Sequence, residues 1–281
     1  MDKNKFISEA KAIFFIILAV LLIKVTVVEA YIVPTGSMEN TIMTGDFLIG
    51  SRFVYGMRTP DWLGIPYTDI GFFIPYYKFP AFKIPKVGDV LIFKYPRDIY
   101  VKYVKRCVAG PGDTLTISDK KLFVNSQLVP MWENGKFLAP PMQKTLSQPD
   151  IYLSSDVNIN RDNLGPVYVP KNGDVFPIHD DTNWRYLLPI ILMEGHKASL
   201  RNDDVVYEFT LQDPNEIFRR KGNEKVFEEY FPYGGNLITP WSESLRPEHF
   251  KYLIIDGKPV EEYSEFIVKQ NYYWAMGDNR D

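Results

Sequence analysis

Val90-Leu-Ile-Phe-Lys-Tyr95, followed by Ile99-Tyr-Val-Lys-Tyr-Val-Lys-Arg-Cys-Val108, decides the fold. Both runs are rich in β-branched and aromatic residues, which suit a pleated sheet better than a helix. The second run alternates, so Tyr103, Lys105 and Cys107 share one face while Val104, Arg106 and Val108 share the other. Val87-Gly-Asp89 marks a turn before the pair, and Ala109-Gly-Pro-Gly-Asp113 a tight turn after it. Residues 115–117 and 122–124 then read as a hairpin closed around residues 118–121. The expectation is a mostly β fold.

Composition agrees. The chain has 281 residues, enough for one large or two modest domains. With 21 prolines, 18 glycines and 15% aromatics, it favours turn-rich β structure over a helical bundle. A net charge of −3 leaves no basic footprint for nucleic acid. The lone cysteine, Cys107, cannot form an internal disulfide and rules out a metal site built on several cysteines.

The N-terminus reads as a targeting segment. Lys3, Lys5 and Lys11 precede an unbroken apolar run over residues 12–23, and residues 25–28 extend it past Lys24. Residues 12–28 are 17 positions, the short end of a bilayer span. Lys24 lies near one end and can snorkel to the interface. The preceding lysines predict a cytoplasmic N-terminus and an exported remainder. The alternative is a cleavable signal peptide, with Val28-Glu-Ala30 as its small-residue cleavage site.

Residues 31–50 read as an extended segment, a turn over 34–38, and a strand near 47–51 introduced by Thr44-Gly-Asp46. Residues 62–85 hold Trp62, Phe72, Phe73, Tyr76, Tyr77, Phe79 and Phe82 among Pro66, Pro75, Pro80 and Pro85. That proline density excludes a helix. The stretch reads either as an irregular loop packing its rings on the core or as an apolar surface for the headgroup layer. Residues 130–265 are less informative and read as an inserted or second β-rich subdomain, with a short helix over 216–230. Ile84-Pro-Lys-Val-Gly-Asp-Val90 is echoed by Val169-Pro-Lys-Asn-Gly-Asp-Val175, which suggests two similar strand starts and not a repeat architecture. Residues 272–276 read as a last apolar strand.

A Ser-His-Asp triad needs a histidine positioned by an acid. The three histidines, His179, His196 and His249, lie in no recognisable motif. A lysine can serve instead if it is neutral, and burial lowers its pKa from about 10.4. Lys105, flanked by Val101, Tyr103, Val104, Cys107 and Val108, has an apolar setting in prospect, although spacing alone equally describes a solvent-facing strand lysine. Pro34 fixes the approach to a turn and Gly36 lets it bend before Ser37. Ser37 on that turn can present its hydroxyl and its own N–H, with the Thr35 hydroxyl as a second donor. Two such donors form an oxyanion hole, where one is worth about 3 kcal/mol. The bland alternative is a plain surface turn. Cys107 should share the face of Lys105; if that face lines a cleft, bulky thiol reagents inhibit, and otherwise it is a small buried strand residue.

Pro34-Thr-Gly-Ser-Met38, Thr44-Gly-Asp46, Val87-Gly-Asp-Val90, Tyr103-Val-Lys-Arg106 with Pro111-Gly-Asp113, and Met276-Gly-Asp-Asn-Arg280 occur in that order. This series resembles the bacterial type I signal peptidases, or leader peptidases. The resemblance implies Ser37 as nucleophile, Lys105 as general base, and the Ser37 N–H and Thr35 hydroxyl as oxyanion hole. It implies substrate pockets lined by Val33, Met38, Ile42, Tyr103 and Val104, and structural ion pairs involving Arg106, Asp278 and Arg280. It implies a fold with an antiparallel β-sheet catalytic core, an inserted β-rich subdomain and one N-terminal transmembrane helix. The corresponding segments are a cytoplasmic N-terminus (1–11), an anchor (12–28), the catalytic core (29–129), the subdomain (130–265) and a return strand (266–281).

The implied activity is removal of signal peptides from exported preproteins by a single-pass protein of the bacterial inner membrane, its catalytic domain on the periplasmic side. No metal and no cofactor are expected; the expected partners are signal peptides and the bilayer. The chain departs from the family at Asn40, where proline is usual and a looser turn is expected. The family's last motif also continues past Asp281 with a serine, an acid and an arginine, so truncation is expected. The rivals are an exported β-rich binding protein, a truncated inactive relative, and a Ser-Lys protease specialised for precursors such as pilins.

Overall fold

A computed structural model describes the chain except for residues 1, 2, 34, 57, 58, 60, 61, 65–70, 76, 78, 149, 150, 152–158, 203, 204, 213–235, 243, 244 and 281. The short helix expected over 216–230 lies outside the described residues, as does Pro34. The chain divides into two compact units, Met1–Lys86 and Val87–Asp281. The boundary falls inside the segment 29–129 expected as one catalytic core.

The first unit opens with helix α1 (Lys3–Thr26). No glycine or proline interrupts it, and Ala, Leu, Ile and Lys dominate. The β-branched run Val25-Thr-Val-Val28 ends it and begins strand β1 (Val28–Ile32), so helix gives way to strand within the segment expected as anchor. The outward side chains of α1 are apolar, with Ile13, Phe14, Phe15, Ile16, Ile17 and Val20 all more than half exposed. Among the described residues, no helix is long and apolar enough to cross a membrane.

β1 pairs antiparallel with β2 (Phe47–Ser51), from Val28 opposite Ser51 to Ile32 opposite Phe47. A second hairpin joins β3 (Trp62–Gly64) to β4 (Gly71–Phe73), with Trp62 opposite Phe73. The sequence suggested an irregular loop here. Pro75, Pro80 and Pro85 all fall after β4, so they do not interrupt its ladder. Nor are the rings drawn into a core: Phe72, Tyr77, Phe79 and Phe82 are exposed.

In the second unit, β5 (Val90–Tyr95) and β6 (Asp98–Ala109) form the expected antiparallel pair, with Leu91 opposite Lys105 and Phe93 opposite Tyr103. β7 (Thr114–Ser118), β8 (Lys121–Val124), β9 (Gln127–Leu128) and β10 (Leu164–Tyr168) make a four-stranded antiparallel sheet in the order β10-β7-β8-β9. β11 (Val175–Pro177) precedes helix α2 (Trp184–Met193). Then follow β12 (Ala198–Asn202), β13 (Val205–Phe209), β14 (Leu237–Ile238), β15 (Leu253–Ile255), β16 (Lys258–Pro259), β17 (Glu265–Ile267) and β18 (Trp274–Met276). Five of these strands form a sheet ordered β14-β13-β12-β15-β16; β17 pairs with β11, and β18 with β6. The fold is mostly β, as expected.

The region from 130 to 265 thus holds a helix as well as strands. α2 was hidden by Pro189 in its middle, a residue that removes a backbone donor and normally breaks a helix. Burial overrides that cost: Leu187, Leu188, Ile190 and Ile191 are all buried, in one core with Leu200 of β12 and Leu253 and Ile255 of β15. Gly195, at φ +90°, ends the helix in the left-handed conformation that glycine takes most readily. A second core gathers Val108, Leu115, Ile117, Leu122 and Val167. Tyr186 and Tyr272 pack against both. The two echoed motifs do lead into strands, β5 and β11, each through a positive-φ glycine, Gly88 and Gly173. Replacing the fully buried Leu188 by alanine should lower the unfolding free energy by about 2–5 kcal/mol in a denaturant titration; a loss below about 1 kcal/mol would mean that α2 does not anchor this core.

Candidate active site

The serine turn is built within the first unit. Thr35 is extended (φ −136°, ψ 152°), and Gly36–Met38 form one 3₁₀ turn closed by the Glu39 N–H donating to Gly36 O at 3.0 Å. Met38 O accepts from the N–H groups of Thr41 (3.0 Å) and Ile42 (2.7 Å). The Thr35 and Ser37 hydroxyl oxygens lie 3.4 Å apart, on the same side of the turn. Thr44-Gly-Asp46 fixes its base. The Asp46 carboxylate accepts the Met43 N–H at 2.8 Å, the Val33 N–H donates to Asp46 O at 3.0 Å, and Val33 O accepts from the Gly45 N–H at 2.9 Å. Val33 and Met38 are buried, and Ile42 is half-buried.

Two details differ from the sequence reading. Gly36 has no positive φ, and a Cβ added there would make only ordinary contacts, the nearest 3.5 Å from the Glu39 carboxylate. Neither backbone strain nor crowding by this chain requires glycine at 36. Asn40 stands at φ +72°, in the left-handed region where asparagine is enriched. Proline, fixed near −65°, cannot occupy this backbone. Asn40 therefore makes a different turn from the proline usual in the family, and the difference is larger than a loosening.

The lysine strand belongs to the second unit. Lys105 is half-buried near the middle of β6, and loss of water around its ammonium pushes its pKa below the ordinary value. Its Nζ lies 5.4 Å from the centre of the Tyr103 ring, which confirms that residues 103 and 105 share a face. Tyr103 in turn contacts Tyr95 (4.6 Å between centroids) and Phe93 (6.4 Å). Val104 is half-buried.

Cys107 is fully buried, its thiol 3.6 Å from Ala109 O, and its pKa is pushed up to about 11, mainly by burial. A thiol in that state is a poor nucleophile. The structure therefore gives the small buried strand residue and not a reactive cleft thiol.

Arg106 organises the opposite face. Its guanidinium makes a two-pronged contact with Asp278, Nε to Oδ1 at 2.8 Å and Nη2 to Oδ2 at 2.6 Å, while Nη1 donates to Gly88 O at 2.8 Å. Asp278 is fully buried, and its hydrogen bonds raise the Arg106 pKa. The ring of Trp132 lies 5.0 Å from the guanidinium carbon. Trp132 was not anticipated; a lone tryptophan after Pro130-Met131 carries no sequence signal. The pair ties β18 to β6 beside the register Met276 opposite Arg106.

Arg280 differs from the expected ion-pair role. Its backbone N–H donates to Lys136 O at 3.1 Å, but Nη2 is buried without a hydrogen-bond partner. Desolvation lowers its pKa, against a smaller opposing effect of the Asp278 charge. Among the described residues, the ion pair of this group is Arg106 with Asp278.

The histidines are engaged elsewhere. His179 Nδ1 accepts from Asp181 N–H, His249 Nδ1 accepts from Arg246 N–H, and His196 Nδ1 lies 2.6 Å from Asp256 Oδ2. Each has a local structural partner. Changing Asp278 to asparagine leaves the Arg106 charge without its counter-charge, and the second unit should lose about 3–5 kcal/mol of unfolding free energy. A loss under about 1 kcal/mol would remove the pair from its central place.

Comparison with known proteins sharpens this reading. The chain matches the family described as signal peptidase, peptidase S26, over residues 6–281. It is 29% identical over 194 residues to signal peptidase I of Rickettsia typhi, covering 63% of this chain and 71% of that protein. Over 140 residues it is 31% identical to signal peptidase I of Rickettsia canadensis, covering 50% of this chain and 51% of the relative. With signal peptidase I of Pseudomonas aeruginosa it shares 35% identity over 133 residues, 46% of this chain and 42% of the relative. The chain thus spans about half the length of the last two relatives. With the family matched from residue 6 to 281, across the serine turn and the lysine strand alike, the chain belongs to the signal peptidase family, peptidase S26, and is a serine endopeptidase of that family.

Proposed function

We propose that this protein removes signal peptides from exported preproteins, with Ser37 as nucleophile and Lys105 as general base. The observation that carries the proposal is the setting of Lys105. A strand lysine beside an aromatic cluster has its charged form disfavoured by desolvation, the condition a lysine must meet to accept a proton. The Ser37 hydroxyl, with Thr35 beside it on one 3₁₀ turn, supplies the nucleophile.

In the proposed reaction, neutral Lys105 takes the Ser37 hydroxyl proton as Oγ attacks the carbonyl carbon of the scissile amide. The carbonyl oxygen gains negative charge, met by the Ser37 N–H and the Thr35 hydroxyl. The C–N bond breaks, and the leaving amine takes the proton from Lys105. Water, deprotonated by the same lysine, then attacks the ester. The carboxylate product and the free Ser37 hydroxyl return the site to its starting state. Val33, Met38, Ile42, Tyr103 and Val104 are the proposed walls of the pockets for small side chains.

Membrane attachment is part of the proposal. α1 carries the apolar run over residues 12–23. Its exposed Ile and Phe side chains have no aqueous rationale, and the basic residues before the apolar run orient the helix with its N-terminus in the cytoplasm. Exposed Phe72, Tyr77 and Phe82 near the β3–β4 hairpin supply an aromatic surface for the headgroup layer. The proposed location is the bacterial inner membrane, with the catalytic units on the outer side.

Cleavage of a test preprotein in detergent should be abolished in Ser37→Ala and in Lys105→Ala, with unchanged circular dichroism; full activity of either folded variant would overturn the assignment. The pKa shift makes a separate prediction. The folded value lies below the unfolded value of about 10.4. Between the two, the unfolded chain still holds a proton that the folded chain has released, so stability rises with pH across that window. Below the folded value the full desolvation penalty remains. Lys105→Met should therefore be inactive yet more stable than the parent at neutral pH, and the gap should narrow towards pH 10. Equal stability at every pH would contradict the desolvated lysine.

A further inference from the structure

The proposed reaction uses no residue between 130 and 265, yet two tryptophans of that stretch reach the strand pair that carries Lys105. The Arg106 guanidinium carbon lies 5.0 Å from the ring centre of Trp132, and that of Arg97 lies 4.8 Å from the ring centre of Trp241. Arg97 sits in the turn between Tyr95 and Asp98, where β5 passes into β6. Arg106 stands opposite Val90, at the start of β5. The hairpin is thus held at its tip and at its base, with Tyr103 and Lys105 between.

The sheet alone does not restrain this segment. β18 pairs with β6 only from Arg106 to Ala109, through Met276, Ala275 and Trp274. Among the described residues, β6 from Asp98 to Lys105 is laddered to β5 alone. A two-stranded ribbon is marginally stable by itself and twists more than a wider sheet. Lys105 is the first residue beyond the reach of β18, so its placement and its shielding depend on what else holds the ribbon.

Both contacts set a guanidinium over the face of an indole, the ring type that attracts a cation best. Trp132 is also stitched in place. Its carbonyl accepts from Gly135 N–H at 2.8 Å, Lys136 N–H donates to Asp278 O at 3.0 Å, and Lys136 O accepts from Arg280 N–H at 3.1 Å. The ring extends to Gly88 as well, 3.7 Å from where a Cβ would stand, so it flanks both partners of the Arg106–Gly88 hydrogen bond. Trp241 turns its face to Arg97 although its own Nε1–H is buried without a hydrogen-bond partner. A buried unpaired donor is costly, so this position uses the indole face and not its N–H. Burial and Tyr95 push the Tyr103 phenol up, and the Arg97 charge opposes them, which sets Arg97 beside the face that carries Lys105.

We propose that Trp132 and Trp241 are positioning residues for the general base: through Arg106 and Arg97 they brace the β5–β6 hairpin and hold Lys105 in its shielded place. The inference rests on the role of Lys105 proposed above. Burial is the cause of the lowered Lys105 pKa, so a ribbon released from its brace admits water to the ammonium and returns it towards the ordinary value. The stretch from 130 to 265 thereby acts as a clamp on the catalytic strand pair.

The test follows acylation of Ser37 by a serine-directed reagent, read by intact mass, across pH in the full-length chain. Trp132→Leu and Trp241→Leu should each slow acylation near neutral pH at least about tenfold. Each should also move the midpoint of the pH limb upward, towards about 10.4. Trp132→Phe and Trp241→Phe keep an aromatic face and should stay within about threefold of the parent. Arg97→Gln leaves the indole in place and should reproduce the Trp241→Leu effect, so it reads the brace even where a leucine variant does not fold. Leu188→Ala, which loosens the α2 core, should lower stability without moving the midpoint. The brace is overturned if the leucine and Arg97→Gln variants keep the parent's rate and midpoint, if phenylalanine does no better than leucine, or if Leu188→Ala moves the midpoint equally. If Lys105→Met acylates like the parent, the base assignment itself fails and this inference fails with it.

Discussion

A lysine can act as a base near neutral pH only where its charged form is penalised, and that constraint governs the second unit. Lys105 meets it as a half-buried residue on β6, beside the ring of Tyr103. The penalty is stable only if the strand cannot turn over or slip, because a one-residue shift would send Lys105 to the other face. The reverse face prevents that. Arg106 grips the buried carboxylate of Asp278 with two hydrogen bonds, reaches Gly88 O with a third, and lies against Trp132. Two adjacent cations on one strand thus have opposite tasks. One is paired and hydrogen-bonded so that it stays charged, and the other is desolvated so that its charge is easily lost.

The first unit shows a comparable division of labour. The short turn that carries Ser37 is held at its base by Val33, which is tied to Gly45 and Asp46. The same tie ends the β1–β2 ladder. One acidic turn residue therefore supports both the presentation of the serine and the closure of the strand that follows α1.

Much of this was legible in the sequence. Alternation over Ile99-Tyr-Val-Lys-Tyr-Val-Lys-Arg-Cys-Val108 placed Tyr103 with Lys105 and Arg106 opposite, because period-2 patterning survives wherever one face is distinct from the other. The glycine turns at 45, 88 and 112 were marked by residue type, and all three carry positive φ. Other features required packing that no local pattern encodes. α2 was masked by Pro189, whose cost is met by buried neighbours from distant strands. β3 and β4 were hidden by the proline density around them, of which Pro75, Pro80 and Pro85 prove to follow both strands. Trp132 acts across a gap of 26 positions from Arg106, and the unpartnered Nη2 of Arg280 is a property of its surroundings, so neither could be read from spacing. Asn40 was visible as a departure from proline, but its sign was not: only the backbone shows that proline is excluded there.

The central claim is that a desolvated Lys105 activates Ser37. The most direct measurement is the rate at which a serine-directed acylating reagent modifies Ser37 as a function of pH, followed by intact mass. The account predicts a rate that climbs along a single limb with a midpoint below the ordinary lysine value of about 10.4, and that this limb disappears in Lys105→Met. Acylation of Ser37 with the same pH profile in the parent and in Lys105→Met would contradict it.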